Sequence, residues 1–114
     1  MSAPRELQVY FEDMLGSIEK IELYTAGCTL DKFRGDTQKQ DAVVRNLEII
    51  GEAAKKIPEE VRAAHPGIQW QPAAAMRDYL IHDYPDVDPE VVWDTITKDL
   101  PELKKQLLAM PMNR

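Results

Sequence analysis

The chain has 114 residues, 44% of them hydrophobic and 30% charged, with a net charge of -6. That length and balance suit one soluble globular domain over residues 1–114 and exclude a disordered chain. No apolar run approaches the ~20 residues needed to cross a bilayer, and a single cysteine, Cys28, excludes a disulfide framework or a Cys-rich metal site.

The charge also bears on partners. Phosphate neutralisation supplies most non-specific affinity for nucleic acids, so an acidic chain argues against a tight, extended nucleic-acid surface. It leaves room for an enzyme that holds one phosphodiester in a small cationic cleft. The N-terminal Met-Ser-Ala-Pro-Arg-Glu lacks the hydrophobic core of a signal peptide, so a cytoplasmic protein is expected. Cys28, beside Gly27, is expected to be a small, half-buried residue without a catalytic part.

From Arg5 to about Ala26, the residues Leu7, Tyr10, Phe11, Met14, Ile18, Ile21 and Thr25 recur every three or four positions, the stripe of an amphipathic helix. Gly27 is its stop. Thr29 caps one short turn, with Leu30 and Phe33 reaching the core from a loop, before Gly35-Asp36 breaks the chain again. Asp36 or Thr37 then caps a second long helix running to about Ile57. Its stripe is Val43, Leu47, Ile50, Ala54 and Ile57, with Gly51 and Ala53 beside it. Gly51 costs about 1 kcal/mol against Ala in a helix interior, which a sequence tolerates where a neighbouring backbone must come close. Pro58 starts a short helix from Glu59 to about His65, ended by Pro66-Gly67. Ile68-Gln69-Trp70 is expected to be a linker whose Trp plugs the top of the core.

Pro85 to Asp88 is a turn, and Asp88-Pro89-Glu90 is a helix start with a cap, a first-turn Pro and an early acid. Val91, Val92, Thr95 and Ile96 should share one face, with Trp93 on a flank. Leu100-Pro101 should kink or interrupt that helix, and Leu103, Leu107 and Leu108 or Met110 make a closing one. There is no alternating β pattern, internal repeat or low-complexity tract. The expected fold is all-α: an antiparallel four-helix bundle with short extra helices.

Between these elements lies the densest group of protic side chains, Met76-Arg77-Asp78-Tyr79-Leu80-Ile81-His82-Asp83-Tyr84-Pro85. Pro72 and the run Ala73 to Met76 favour a helix, and Pro85 forbids its continuation. Arg77 should therefore lie mid-helix, His82 in the last turn and Tyr84 just past the end. At about 100° per residue, Asp78 and His82 are about 40° apart and share a face, whereas Arg77 and His82 are about 140° apart. The Asp78 carboxylate is thus placed to orient the imidazole. Arg77 points elsewhere, so either its long side chain bends round or, as we prefer, a second copy of the chain supplies the missing half. A purely structural reading also stands: an Arg–Asp pair, a His favoured by the helix dipole and a Tyr at the rim of the fold.

The other candidates carry less. His65 is accounted for by a helix C-terminus, and two distant histidines without a nearby Cys make no zinc signature. The scattered acids are solvated helix faces. No Glu-x-x-His pair and no Gly-rich phosphate loop occurs, so neither a metal nor a cofactor is expected. Tyr10, Phe11, Tyr24 and Trp93 are expected in the core rather than as base-stacking platforms.

The segment Gln40 to Ala54, Trp70, the stretch Met76 to Tyr84, Val92-Trp93-Asp94 and Asp99-Leu100-Pro101 together resemble the HepT-like members of the HEPN superfamily over nearly the whole chain. The family signature is an Arg, a short spacer, a His, one residue and a Tyr, here Arg77, His82 and Tyr84. Asn commonly follows the Arg, and this chain has Asp78 there. The resemblance implies a helical bundle that homodimerises with two Arg/His motifs facing one cleft. It further implies a metal-independent endoribonuclease, acting on RNA rather than DNA, that is the toxin of a toxin–antitoxin pair. The antitoxin is then an MntA-type nucleotidyltransferase that transfers AMP to Tyr84. On that footing Arg77 holds the phosphate, His82 moves protons and Asp78 orients the imidazole. The rival reading is a non-catalytic nucleotide- or partner-binding subunit of such a nucleotidyltransferase.

Overall fold

The computed structural model describes residues 5–83 and 86–110. Among them the chain is helical apart from short turns, and no strand occurs. The helices are α1 (Arg5–Thr25), α2 (Leu30–Arg34), α3 (Thr37–Lys56), α4 (Glu59–Ala64), α5 (Trp70–Asp83), α6 (Pro89–Asp94) and α7 (Leu100–Leu108), with a π-helical turn (Thr95–Asp99) joining the last two. Among the described residues no helix is long and apolar enough to cross a membrane.

Local chemistry sets most of these boundaries. Gly27, just past α1, has φ +71, the left-handed conformation that glycine takes without a Cβ penalty. The Thr29 side chain accepts from the Lys32 backbone N–H at 3.3 Å to begin α2. Of the two candidate caps for α3 it is Asp36 that acts, accepting from Lys39 N–H at 2.9 Å. Asp88 caps α6 through Glu90 N–H at 2.9 Å, with Pro89 in the first turn. Each cap satisfies a donor that the helix itself cannot.

The expected stripes form the core. Leu7, Phe11, Met14, Ile18 and Ile21 of α1 are buried with Val43, Leu47, Ile50, Ala53 and Ala54 of α3, and Ile57 just beyond it. α3 packs against α1 and against α5, and more lightly against α2, with α7 touching α1. Phe33 belongs to α2, not to a loop, and is fully buried with its ring centroid 5.3 Å from that of Trp93. An Arg34–Glu90 ion pair ties α2 to α6.

The structure departs from the sequence reading in several places. Trp70 is the first residue of α5 rather than part of a linker: it is buried, and its indole N–H donates to the His65 carbonyl at 3.1 Å. Pro72 does lie in the first turn of this helix, as expected, at the third position, where a Pro needs no N–H partner. Tyr24 and Val91 are outside the core, whereas Met110 rather than Leu108 fills the closing position. Pro101 does not break the chain into separate helices. The Leu100 N–H reaches back five residues to the Thr95 carbonyl, and this wider turn accommodates a ring that would press on the carbonyl four residues before it.

Candidate active site

The motif lies on α5, and both ends of its position are set by packing. At the N-terminal end Trp70 is buried and the Gln69 N–H donates to the Gln106 side chain at 3.1 Å. Farther along, Leu80 is fully buried, so the face opposite it is turned outward. The Tyr79 hydroxyl accepts from the Asp88 N–H at 3.1 Å, which anchors the approach to α6.

The crossing of α3 and α5 is centred on Gly51. A Cβ built there would lie 2.2 Å from the Arg77 Cβ and 2.7 Å from the Ala73 carbonyl oxygen. Only glycine permits so close an approach, as its place in the helix interior led us to expect. The neighbour it admits is the motif arginine itself. Arg77 is 27% exposed along its side chain, and its Nε is buried without a hydrogen-bond partner among the described residues. The stem is thus clamped while the tip reaches outward.

Asp78 does not orient His82 through its carboxylate, contrary to expectation. Its Oδ1 lies 2.8 Å from Lys55 Nζ and 3.1 Å from Arg77 Nη1. Two cations are more attractive to a carboxylate than a neutral ring is, and α3 brings one of them within reach. Lys55 first, and then Arg77, hold the Asp78 carboxyl below its ordinary range. The imidazole is oriented instead by the backbone of the same residue: His82 Nδ1 is 2.8 Å from the Asp78 carbonyl oxygen. A carbonyl can only accept, so Nδ1 is the donor in this bond, and Nε2 is the ring nitrogen left to act on a ligand. The ring is exposed at the end of α5.

The structure therefore brings Arg77, Asp78 and Lys55 together and ties His82 to them through the main chain. No bond joins Arg77 to His82 among the described residues, in keeping with their angular separation on the helix. Tyr84 lies outside the described residues. Lys55 was not singled out in the sequence. The available signal was Gly51, one turn earlier on the same side of α3, which marks where α5 comes close enough to be touched. Among the described residues no group of three or more His, Cys, Asp or Glu side chains is gathered that could hold a metal ion.

A family model described as Ribonuclease HepT-like matches residues 14–110. The chain belongs to the HepT-like family. Its match to that family takes in α3, α5 and the C-terminal helices, and so includes Gly51, Lys55, Arg77, Asp78, His82 and Tyr84. A protein of Thermococcus cleftensis named "Probable ribonuclease HepT" is 47% identical over 95 residues, covering 83% of this chain and 86% of that one. A protein of Caldanaerobacter subterraneus subsp. tengcongensis, provisionally named an RNase, is 41% identical over 94% of this chain and 93% of its own length. A Methanocaldococcus jannaschii protein, named a gamma-glutamylcyclotransferase and provisionally an RNase, is 43% identical over 93% of this HepT-like chain. Only 48% of that longer protein is covered. No solved structure gives a significant match.

Proposed function

We propose that this chain is a metal-independent endoribonuclease and the toxin of a toxin–antitoxin pair. In this reading it is a single-domain antiparallel four-helix bundle that homodimerises, so that two copies of Arg77 and His82 face one phosphodiester. The observation that carries the reading is the exposed His82 ring, held through Nδ1 by the Asp78 carbonyl, which leaves Nε2 for substrate. Membership of the HepT-like family adds the substrate class.

The chemistry needs no group beyond the side chains. One His82 takes the proton of a ribose 2′-hydroxyl through Nε2 as the 2′-oxygen attacks the adjacent phosphorus. The bond from phosphorus to the 5′-oxygen breaks, and a protonated His82 from the second copy supplies that oxygen with its proton, leaving a cyclic phosphate. Arg77 binds and neutralises the phosphate oxygens, for which a fixed guanidinium fork is suited. Asp78 acts through its main chain on the imidazole and through its side chain on Arg77.

Incubating the purified protein with total RNA in EDTA should give cleavage, and His82→Ala and Arg77→Ala should each abolish it. Unaltered cleavage by either variant would sink the assignment. The partner on this reading is an MntA-type nucleotidyltransferase that transfers AMP to Tyr84. An adenylyl group there adds a phosphate charge and a bulky base two residues from His82 in the chain, and would oppose substrate by charge and volume. With ATP, Mg²⁺ and such an enzyme, the mass of the chain should rise by whole AMP units, and Tyr84→Phe should prevent it. The second reading, a non-catalytic partner-binding subunit, is favoured by the net charge of -6. It predicts an inert RNA assay together with a tight complex.

A further inference from the structure

Lys55 belongs to no part of the chemistry described so far, yet it is the cation that α3 delivers to the motif. Its Nζ and the Arg77 Nη1 converge on one oxygen, Asp78 Oδ1, at 2.8 and 3.1 Å. This is the arrangement in which two cations would hold one phosphate oxygen, with a carboxylate oxygen in its place. The three side chains are partly exposed, at 44% for Lys55, 45% for Asp78 and 27% for Arg77, so a ligand can reach them. Gly51 makes the convergence possible, because it lets α3 touch α5 one helical turn before Lys55.

We propose that Lys55 is a phosphate-binding residue for a single-stranded RNA substrate, masked in the free protein by the Asp78 carboxylate. The inference rests on the ribonuclease reading. On binding, a phosphate oxygen of the RNA takes the place of Asp78 Oδ1 between Lys55 and Arg77, and the displaced carboxylate turns to solvent. Asp78 is thereby a brake on affinity. An acidic chain with a self-neutralised cationic pair has little pull on RNA in general, and the pair is released only where a phosphate can engage both cations at once.

The test is binding of a short fluorescent 2′-O-methyl oligoribonucleotide, which the protein cannot cleave, measured by anisotropy across a series of salt concentrations with the full chain. Lys55→Ala should weaken binding roughly tenfold, the effect of losing one charged hydrogen bond. It should also reduce the slope of log affinity against log salt by about 0.7, one phosphate contact on a single strand. Lys55→Arg should restore both. Asp78→Asn should tighten binding by several-fold, and most of that gain should vanish in the Lys55→Ala, Asp78→Asn double variant. A purely structural Lys55 would not move the salt slope, and a pair this exposed contributes little to folding, so the melting temperature of Lys55→Ala should stay near that of the parent. Wild-type affinity and slope in Lys55→Ala, or unchanged affinity in Asp78→Asn, would overturn the inference while cleavage by the parent protein still stood. Absence of cleavage by the parent protein would instead remove the ribonuclease reading.

Discussion

α3 makes its two main contacts with α1 and α5, and it makes them by different means. Toward α1 the meeting is apolar: stripes of large side chains from both helices are buried in one core, with Lys56 Nζ lying 5.8 Å from the Tyr10 ring centroid at its edge. Toward α5 the meeting turns on a missing side chain at Gly51 and ends in an ionic contact between Lys55 and Asp78. Lys55 and Lys56 are neighbours in sequence and indistinguishable in type, yet one goes to each helix. The first contact holds the fold together through area removed from water. The second is no less extensive, and it also fixes where Arg77 stands. Stability and site geometry are thus separable on a single helix.

Substitutions on the two sides should break the molecule differently. The largest effect on folding belongs to the α1 side. Ile18 is fully buried, and Ile18→Ala should destabilise by about 2–5 kcal/mol, from lost transfer energy and a residual cavity. Urea denaturation measures this. Cleavage per folded molecule should be little changed, because the motif stands on α5, whose main contact is with α3 rather than with α1. A selective loss of activity in a fully folded Ile18→Ala protein would show that the two contacts are not independent.

Gly51→Ala should reverse that ranking. The substitution removes a helix-interior glycine, which alone would favour folding by about 1 kcal/mol. Against it stands a Cβ 2.2 Å from the Arg77 Cβ and 2.7 Å from a backbone oxygen, neither of which can swing aside. Overpacking of this kind costs about 1–3 kcal/mol, so the net loss of stability should be smaller than for Ile18→Ala. The loss of RNA cleavage should be larger, roughly a hundredfold, since separating the helices displaces Arg77 and withdraws Lys55 from Asp78. Parent-level activity in Gly51→Ala would mean that the close approach serves packing alone.

The same contrast explains what was legible beforehand. The α1–α3 side is written in periodicity: each of Leu7, Phe11, Met14, Ile18 and Ile21, and each of Val43, Leu47, Ile50 and Ala54, could be placed from spacing because a helix must bury its apolar stripe. The helices' order and their caps at Thr29, Asp36 and Asp88 were legible for the same local reason. On the α5 side only the motif and Gly51 stood out. Helical angles correctly kept Arg77 away from His82 but gave Asp78 the wrong partner, because angles within one helix contain nothing about a lysine arriving from another. Nor could the main-chain bond to His82 be read from side-chain identities. The π turn escaped for a related reason: Pro101 signals a disturbance, and only the packing around it decides between a break and a widened turn.

The smallest effect sharpens the comparison from the α5 side. Asp78 has its carboxyl held below the ordinary range by Lys55 first and Arg77 second. A group whose pKa is depressed on folding adds stability above its unfolded pKa, and that stability is lost as pH falls through the folded one. The melting temperature of the parent protein should therefore exceed that of Asp78→Asn slightly at neutral pH, and the gap should close below the ordinary aspartate range. Salt should shrink it too, since the pair is accessible to solvent. The Ile18→Ala deficit, being apolar, should persist through the same acid and salt series. If the Asp78→Asn difference were also indifferent to pH and salt, then the carboxylate would not be engaged by the two cations in solution, and the division of α3 into an apolar and an ionic side would fail at its ionic end.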